Sequence, residues 1–264
     1  MTLDALATSL GLRLFLFAAL VFVPLERMFA LRPEQPVLRR DLGSDLVYTF
    51  LNRLVVQAAV AVIIAGAAWL AANTVPAGVR TAVADAPLWA QLPGAILVAD
   101  LGFYALHRLF HEVPALWRFH SVHHGIETMD WIAAARVHPF DQVITRGLSV
   151  APLYVLGFSD AALTAFTLLY FWHSHLLHAN VTFTFGPLGK VVASPRWHHW
   201  HHADEPEAYD HNYAGQLAFL DRLFGTHYQP DRPPRAFGVS DPVPRGYLRH
   251  LVYPFVRRRA QDGR

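Results

Sequence analysis

The chain of 264 residues contains sixteen histidines and no cysteine. The densest histidine run is "WHHWHHADEPEAYDHNY", at residues 197–213, and the others are dispersed along the second half of the chain. The lack of cysteine excludes disulfides, thiolate–metal sites and cysteine nucleophiles. A metal ion would therefore be bound by nitrogen and oxygen, and imidazole is the most abundant nitrogen ligand.

Several motifs place histidines three or four residues apart, which is the spacing of one helical face. The segment "ALHRLFHEV" holds an HxxxH pair, "FHSVHHG" and "RWHHWHHAD" each hold an HxxHH motif, and "WHSHLLHAN" holds a further pair. The adjacent histidines of an HxxHH motif spread ligands to both sides of its helix. The predicted metal ligands are His107, His111, His120, His123, His124, His175, His178, His198, His201 and His202.

Ten imidazoles are too many for one ion, because zinc takes four ligands and iron up to about six. They suit two metal ions close together. Imidazole binds iron, copper, zinc and nickel, so the ligand type leaves the metal open. His138, His211 and Asp204 are predicted either as additional ligands or as groups that orient the ligand imidazoles. Further candidates for such orientation are Asp210, Glu112 and Glu127.

The composition is that of an integral membrane protein. Hydrophobic residues make up 53% of the chain and charged residues 16%, against roughly a quarter charged in soluble domains. Mean hydropathy is positive, at +0.25. The net charge of +2 is not arranged as a basic stripe with interleaved aromatics, which argues against nucleic-acid binding.

Three apolar stretches, at 10–23 (extendable to 31), 54–72 and 88–106, are predicted to cross the membrane, since a span needs about 20 residues. The third carries Asp100, which at membrane depth indicates either a functional role or an interhelical hydrogen bond. A fourth stretch, 148–172, is interrupted by Pro152, Gly157 and Asp160. It is predicted to form a hairpin of two short helices that turns at 157–160, with Ser159 or Asp160 as N-cap.

The hairpin matters because a single fourth span would leave the histidine motifs on opposite sides of the membrane. Arginines follow the first span and are frequent after residue 106, ending in Arg257, Arg258 and Arg259. The excess of positive charge predicts that these parts are cytoplasmic. The expected location is the inner membrane of a bacterium, with the histidine site on the cytoplasmic face.

The predicted fold is therefore all-α: a membrane bundle of about four spans, counted as three spans plus the hairpin, with a cytoplasmic histidine-rich helical cap. We expect membrane spans in 1–94, the histidine domain in 95–228, and a Pro/Arg-rich tail in 229–264.

From about Asp100 to Tyr228, half of its length, the chain resembles the fatty acid hydroxylase and sterol desaturase superfamily of membrane non-haem di-iron enzymes. The resemblance rests on the HxxxH and two HxxHH motifs, on "RVHP" at 136–139, on "HAN" at 178–180, and on the closing segment "NYAGQLAFLDRLFGTHY". The chain departs from the family pattern at Ala214, Leu220 and Gly125, which lie outside the histidine motifs.

The resemblance implies two iron ions and dioxygen as co-substrate, with the di-iron centre itself as the catalytic group and no separate acid or base. It implies hydroxylation or desaturation of an unactivated C–H bond of a lipid that enters from the bilayer. The chain has no haem-attachment motif or flavin fingerprint. Electrons are therefore expected from a separate protein, such as a ferredoxin, a cytochrome or a reductase.

Three other classes of protein agree less well with the sequence. A metal transporter predicts histidines inside the spans, whereas these lie at span ends and beyond. A haem-binding membrane cytochrome needs only single facing histidines, and a zinc hydrolase needs fewer ligands and usually a nearby carboxylate base. The lipid itself, whether a sterol, a fatty acyl chain, an alkyl ether lipid, a carotenoid or a hopanoid, is left open.

Overall fold

The computed structural model describes residues 3–256, with side chains from residue 11 onward. Regular structure within these residues is helical, and extended pairing is limited to two isolated bridges, Ala30 with Val181 and Ala203 with Phe237. The α-helices are α1 (Leu3–Met28), α2 (Leu42–Val47), α3 (Arg53–Thr74), α4 (Ala77–Ala84), α5 (Leu88–Glu112), α6 (Pro114–His124), α7 (Pro139–Leu156), α8 (Asp160–His178), α9 (Pro195–His201), α10 (Phe219–Phe224) and α11 (Tyr247–Val252).

Within residues 3–256, two helical stretches are long and apolar enough to cross a membrane. The first runs over Leu42–Thr74, where the π-helical turn Tyr48–Asn52 joins α2 to α3, and the second is α5. The most apolar 18 residues of these stretches have mean hydropathies of 2.3 and 1.2. Val62 and Trp69 on α3 are about 70% exposed (72% and 70%), as expected of side chains that face lipid. These features support a membrane protein, and the count of four spans stays a prediction.

The interrupted apolar stretch forms a helical turn where it is predicted. Helix α7 ends at Gly157, which adopts φ +83°, and the Ser159 hydroxyl caps α8 by accepting the N–H of Ala162. A Cβ at residue 157 would lie 2.8 Å from the Arg80 Cβ, so both the backbone angle and the available space favour glycine. The two helices, of 18 and 19 residues, are longer than the predicted short pair, because α7 begins before the apolar stretch, at Pro139, and α8 continues beyond it, to His178.

Helix α5 is tied to the closing segment of the histidine domain through Asp100. The buried Asp100 carboxylate accepts the backbone N–H groups of Gly215, Gln216 and Leu217 at 2.7–3.1 Å. Of the two roles predicted for this residue, the structure therefore shows structural hydrogen bonding, made to a loop rather than to a second helix. Asp100 holds the 213–217 segment against the middle of α5.

The Pro-rich tail packs on the helical domain. Phe237 is buried with Ile126 and Met129, and the backbone N–H of Arg235 donates to the Glu205 carboxylate. The basic end at Arg257, Arg258 and Arg259 lies outside the described residues. The predicted domain boundaries at 94/95 and 228/229 stay predictions.

Candidate metal centre

Helices α5, α6, α8 and α9 bring nine of the ten predicted ligands into two groups. Within each group, one nitrogen from every residue lies within 4.8 Å of all the others. The five-histidine group is His107, His111, His120, His124 and His201, and the four-histidine group is His123, His178, His198 and His202.

Each HxxHH motif supplies both groups. On α6, His120 and His124 are four residues apart and join the five-histidine group, while His123 joins the other. In the second motif, His198 and His202 join the four-histidine group, and His201 joins the five-histidine group. Adjacent residues of a helix point in different directions, so one short motif can serve two neighbouring sites. The rings of His124 and His202 are stacked across the two groups at 4.5 Å.

Hydrogen bonds from Nδ1 hold several imidazoles in orientation. His107 donates to the Tyr213 carbonyl at 2.7 Å, and His123 donates to the Arg136 carbonyl at 2.9 Å. His178 and His201 donate to backbone carbonyls at 2.8 Å, those of Ser174 and His211. A proton on Nδ1 leaves the lone pair of Nε2 free, which is the form that binds a metal ion.

One carboxylate holds a further ring of the five-histidine group, and a second carboxylate lies near another. His120 Nδ1 lies 2.8 Å from Asp141 Oδ2, and both side chains are buried. His111 Nδ1 lies 3.5 Å from Asp210 Oδ1, and Asp210 adopts a positive φ of 58°. Orientation by a carboxylate is the usual arrangement for histidine ligands, and it raises their basicity.

The Nε2 atoms converge. Those of His107 and His120 are 2.9 Å apart, and those of His198 and His178 are 3.0 Å apart. Nitrogens that each lie about 2.0–2.1 Å from one ion would be about 3 Å from each other. Buried polar atoms are rarely left without partners. The buried Nε2 atoms with no hydrogen-bond partner are those of His111, His124, His201 and His202. The residues therefore fit two metal ions.

Burial keeps four of the grouped imidazoles neutral. It lowers the pKa of His201 to about 3, and it lowers the pKa values of His123, His198 and His202 well below their ordinary value, with neighbouring imidazoles adding to the effect. A neutral imidazole is the ligand form, so these four residues need not lose a proton at pH 7 before a metal ion binds.

His175, the tenth predicted ligand, lies outside both groups. Its Nδ1 donates to the Phe171 carbonyl at 2.7 Å, and its ring packs against those of Phe171, Phe22 and Trp131. The His175 ring therefore packs among aromatic side chains and does not join the metal-binding groups, although His175 lies only three residues before His178.

The three residues predicted as ligands or orienting groups have different positions. His138 caps α7 by accepting the N–H of Phe140, and Asp204 accepts the Tyr209 hydroxyl, so neither touches the two groups. His211 acts through its backbone carbonyl, which holds His201. Glu112 and Glu127 form exposed ion pairs with Arg108 and Arg245.

Sequence reasoning missed Asp141 and the carbonyls of Arg136, Tyr213 and Ser174. A usable signal for Asp141 is its place in the first turn of α7, two residues after the end of "RVHP". Backbone carbonyls leave no signal in residue types.

Substituting Asp141 by leucine is expected to weaken metal binding by the five-histidine group about 10- to 100-fold, because His120 loses the acceptor that fixes its ring. Asp141→Asn retains a carbonyl acceptor and should lose less. Metal titration of the apoprotein with competing chelators measures both. Equal affinity in wild type and Asp141→Leu would show that Asp141 does not orient the ligand.

His175 and His178 offer a matched pair on one helix. His178→Ala is expected to lower the metal content of the purified protein, whereas His175→Ala should leave it unchanged. Metal analysis of the two variants by mass spectrometry distinguishes them. Loss of metal from His175→Ala, with metal retained in His178→Ala, would contradict the placement of both rings.

Behind His123 lies a buried network of four charges. Asp45 accepts from Arg136 Nε at 2.6 Å and pairs with Arg39, and Arg39 also pairs with Asp130 at 2.6 Å. All four side chains are at most 8% exposed. Because the Arg136 carbonyl accepts from His123, this network fixes the backbone that orients one ligand.

The fatty acid hydroxylase family model matches residues 92–226, which is half of the chain and includes all nine grouped histidines. The chain is a member of the fatty acid hydroxylase family. The resemblance drawn from the histidine motifs is therefore confirmed.

Among the relatives of this family member is ornithine lipid hydroxylase OlsE from Rhizobium tropici, 35% identical over 65% of this chain and 52% of the relative. Alkylglycerol monooxygenase from Danio rerio is 33% identical over 62% of this chain and 37% of the relative. Methylsterol monooxygenase 1 from Gallus gallus is 27% identical over 55% and 50%. The chain spans about half, or less, of the length of these relatives. No solved structure matches it.

Proposed function

We propose that this protein uses dioxygen to hydroxylate an unactivated C–H bond of a membrane lipid at a centre of two iron ions. The observation that carries the proposal is the pair of adjacent all-imidazole groups in a chain of the fatty acid hydroxylase family. The relatives are named as hydroxylases and monooxygenases of lipids, which favours hydroxylation over desaturation and oxygen chemistry over metal transport or haem-based electron transfer.

In this proposal, the five-histidine group holds one ion and the four-histidine group holds the other. Imidazole also suits copper, zinc and nickel, and the monooxygenase relatives favour a redox metal, for which we propose iron. When bound, the two irons supply the activation of dioxygen and the removal of hydrogen from the lipid. Without cysteine, the chain has no thiolate that such an oxidant could destroy.

The protein's own residues orient ligands and anchor the helix of the second HxxHH motif. Carbonyls and the Asp141 carboxylate keep a proton on Nδ1 of the ligand rings and direct Nε2 inward. Trp197 and Trp200, on the helix that carries the second HxxHH motif, are fully buried at 0% exposure. Trp197 packs with Tyr104 and Tyr213, and Trp200 packs with Ala203 and Ala208, so both rings anchor this helix in the protein interior.

The proposed arrangement in the membrane has about four spans, with the centre on the cytoplasmic side of a bacterial inner membrane. His107 and His111 occupy the last turns of the candidate span α5, which supports a site close to the membrane surface. There a lipid can approach from the bilayer, and a separate electron-transfer protein can approach from the cytoplasm.

The test is an isotope experiment with the purified, iron-loaded protein in lipid nanodiscs. Under ¹⁸O₂, with a ferredoxin and its reductase, we expect one lipid among an ornithine lipid, an alkylglycerol and a methylsterol to gain a single ¹⁸O atom. The proposal would be overturned if the product oxygen came from water. It would also be overturned if no lipid gave a product although the irons were reduced and reoxidised.

A further inference from the structure

The last helix of the described chain carries a largely exposed apolar face. Helix α11 continues into a 3₁₀ turn at Tyr253–Phe255. Leu248, Val252 and Phe255 follow one another at i, i+4 and i+7, which is the spacing of one side of a helix. They are 75%, 56% and 71% exposed. Large apolar side chains that are exposed together commonly mark a surface that contacts a membrane or a partner.

The opposite face of α11 anchors it on the protein. His250 and Pro254 are buried, and the Tyr247 ring packs on that of Tyr48 with 4.9 Å between the ring centroids. The Tyr247 hydroxyl donates to the Asn52 amide oxygen at 3.4 Å. These contacts fix the orientation of the segment, so its apolar face points away from the helices that hold it.

The same contacts place α11 at one end of a candidate membrane span. Tyr48 and Asn52 belong to the helical stretch Leu42–Thr74, whose 33 residues are about 50 Å long at 1.5 Å per residue. The hydrocarbon core of a bilayer is only about 30 Å thick, so the ends of this stretch extend into the headgroup layers. The continuous apolar part begins at Leu54, just after the two residues that hold α11. Helix α11 therefore lies at the level of the headgroups.

The apolar face of α11 is joined to a second exposed apolar side chain. The ring of Phe255 contacts that of Phe119 at 5.5 Å, and the ring of Phe119 contacts that of Phe140 at 4.6 Å. Phe140 lies in the first turn of α7, is 43% exposed, and belongs to a helix that packs along α3. The exposed apolar surface therefore extends from α11 to the end of another helix of the bundle.

The charges beside this face are positive. Arg249 is exposed on α11, next to Leu248. Directly after residue 256, the sequence continues with Arg257, Arg258 and Arg259. Arginines beside an apolar helix face are typical of helices that lie in the plane of a membrane surface, where they meet lipid phosphates.

We propose that α11 and the turn after it lie in the headgroup layer of the bilayer, with Leu248, Val252 and Phe255 inserted toward the acyl chains. The apolar face of such a helix enters the boundary between headgroups and chains by about 5–10 Å. Arg249, at the edge of this face, lies at the level of the phosphates. The proposal concerns how the protein sits in its membrane, and it does not depend on the chemistry of the metal centre.

This contact would also brace one helix of the candidate metal centre. The Arg118 guanidinium donates to the carbonyls of Tyr253 and Val256, at the end of the proposed membrane contact. Arg118 lies on α6, the helix that carries the first HxxHH motif. The bilayer surface would therefore support α6 through this segment.

Spin labels test the proposal, because a chain without cysteine can be labelled at one chosen residue. The test variants are Val252→Cys, Phe255→Cys and Arg249→Cys. The standard for lipid is Val62→Cys, at a residue 72% exposed in the middle of a candidate span. The standard for water is Glu207→Cys, at an exposed residue near the second HxxHH motif. In nanodiscs that contain anionic lipid, electron paramagnetic resonance compares accessibility to oxygen, which concentrates in hydrocarbon, with accessibility to a water-soluble nickel chelate.

We expect the oxygen-to-chelate ratio at Val252→Cys and Phe255→Cys to be several-fold above that at Glu207→Cys and below that at Val62→Cys. The ratio at Arg249→Cys should lie between those at Phe255→Cys and Glu207→Cys. The substituted side chains are exposed, so metal content should stay as in the wild type. Ratios at Val252→Cys and Phe255→Cys equal to that at Glu207→Cys would overturn the proposal, because the face would then lie in water. Labels that neither reagent reaches would also overturn it, because a second copy or another protein would then cover the face.

Discussion

Substituting His198 by alanine is expected to remove one metal ion from the protein, while substituting its neighbour His199 leaves both ions in place. Both side chains are buried on α9, at 6% and 0% exposure, so they form a matched pair. His198 belongs to the four-histidine group, and its loss leaves three ligands where metal sites in proteins commonly use four or more. His199 Nε2 instead donates to the Ala179 carbonyl at 3.0 Å.

The expected loss for His198→Ala is large. Removal of an orienting partner alone costs about 10- to 100-fold in metal affinity or activity, and removal of a ligand should cost at least about 100-fold. Metal content measured by mass spectrometry should fall from two ions to one per chain, with turnover lost. His199→Ala is the control for the loss of stability that comes from removing a buried imidazole from α9. The placement of the ligands would be contradicted if His199→Ala lost metal and His198→Ala kept both ions.

Substituting Asp45 by alanine is expected to destabilise the protein more than any surface substitution. Asp45 is completely buried and pairs with both Arg39 and Arg136. Its removal leaves two buried guanidinium groups with part of their charge uncompensated, and breaking a buried pair in this way costs about 3–5 kcal/mol. For a protein of this size, that loss corresponds to a fall in Tm of about 10 °C.

Thermal unfolding of the Asp45→Ala variant in one detergent, followed by tryptophan fluorescence, measures this loss. Arg245→Ala is the control, because Arg245 and Glu127 form an ion pair with side chains 44% and 67% exposed. Such exposed pairs contribute about 1 kcal/mol or less. Equal Tm values for the two variants would show that the buried network does not stabilise the fold.

Much of the centre could be predicted because its ligands lie on short helices at fixed spacing. The i, i+3 and i+4 periodicity of HxxHH was sufficient to predict that its histidines spread to both sides of a helix, and the structure places them in two groups. The same periodicity included His175, since spacing carries no information on which neighbours pack around a ring. Phe171, Phe22 and Trp131 enclose that imidazole, and they come from three distant parts of the chain.

The long-range contacts could not be predicted from the sequence, because no local spacing rule connects the residues that meet. Asp141 meets His120 across a loop and a helix start, and their separation of 21 residues follows no local rule. Glu26 of α1 makes another contact between residues far apart in the sequence. One of its carboxyl oxygens accepts the backbone N–H groups of Trp131 and Asn180, so an acidic side chain in the extension of the first predicted span ties that helix to the histidine domain.

The turn at 157–160 could be predicted because its signals are local. Gly157 permits the left-handed conformation that ends α7, and the Ser159 hydroxyl caps α8. Helix α7 is longer than predicted because it begins at Pro139, nine residues before the apolar stretch from which the hairpin is predicted. Pro152 lies inside α7, and the helix continues to Leu156.

Metal analysis combined with Mössbauer spectroscopy of protein produced in ⁵⁷Fe medium tests the central claim most directly. Two groups of ligands that lie side by side predict two irons per chain, with a spectrum of magnetically coupled high-spin iron in nitrogen coordination. One iron per chain, haem iron, or protein that turns over without any redox metal would contradict a centre built from these nine histidines.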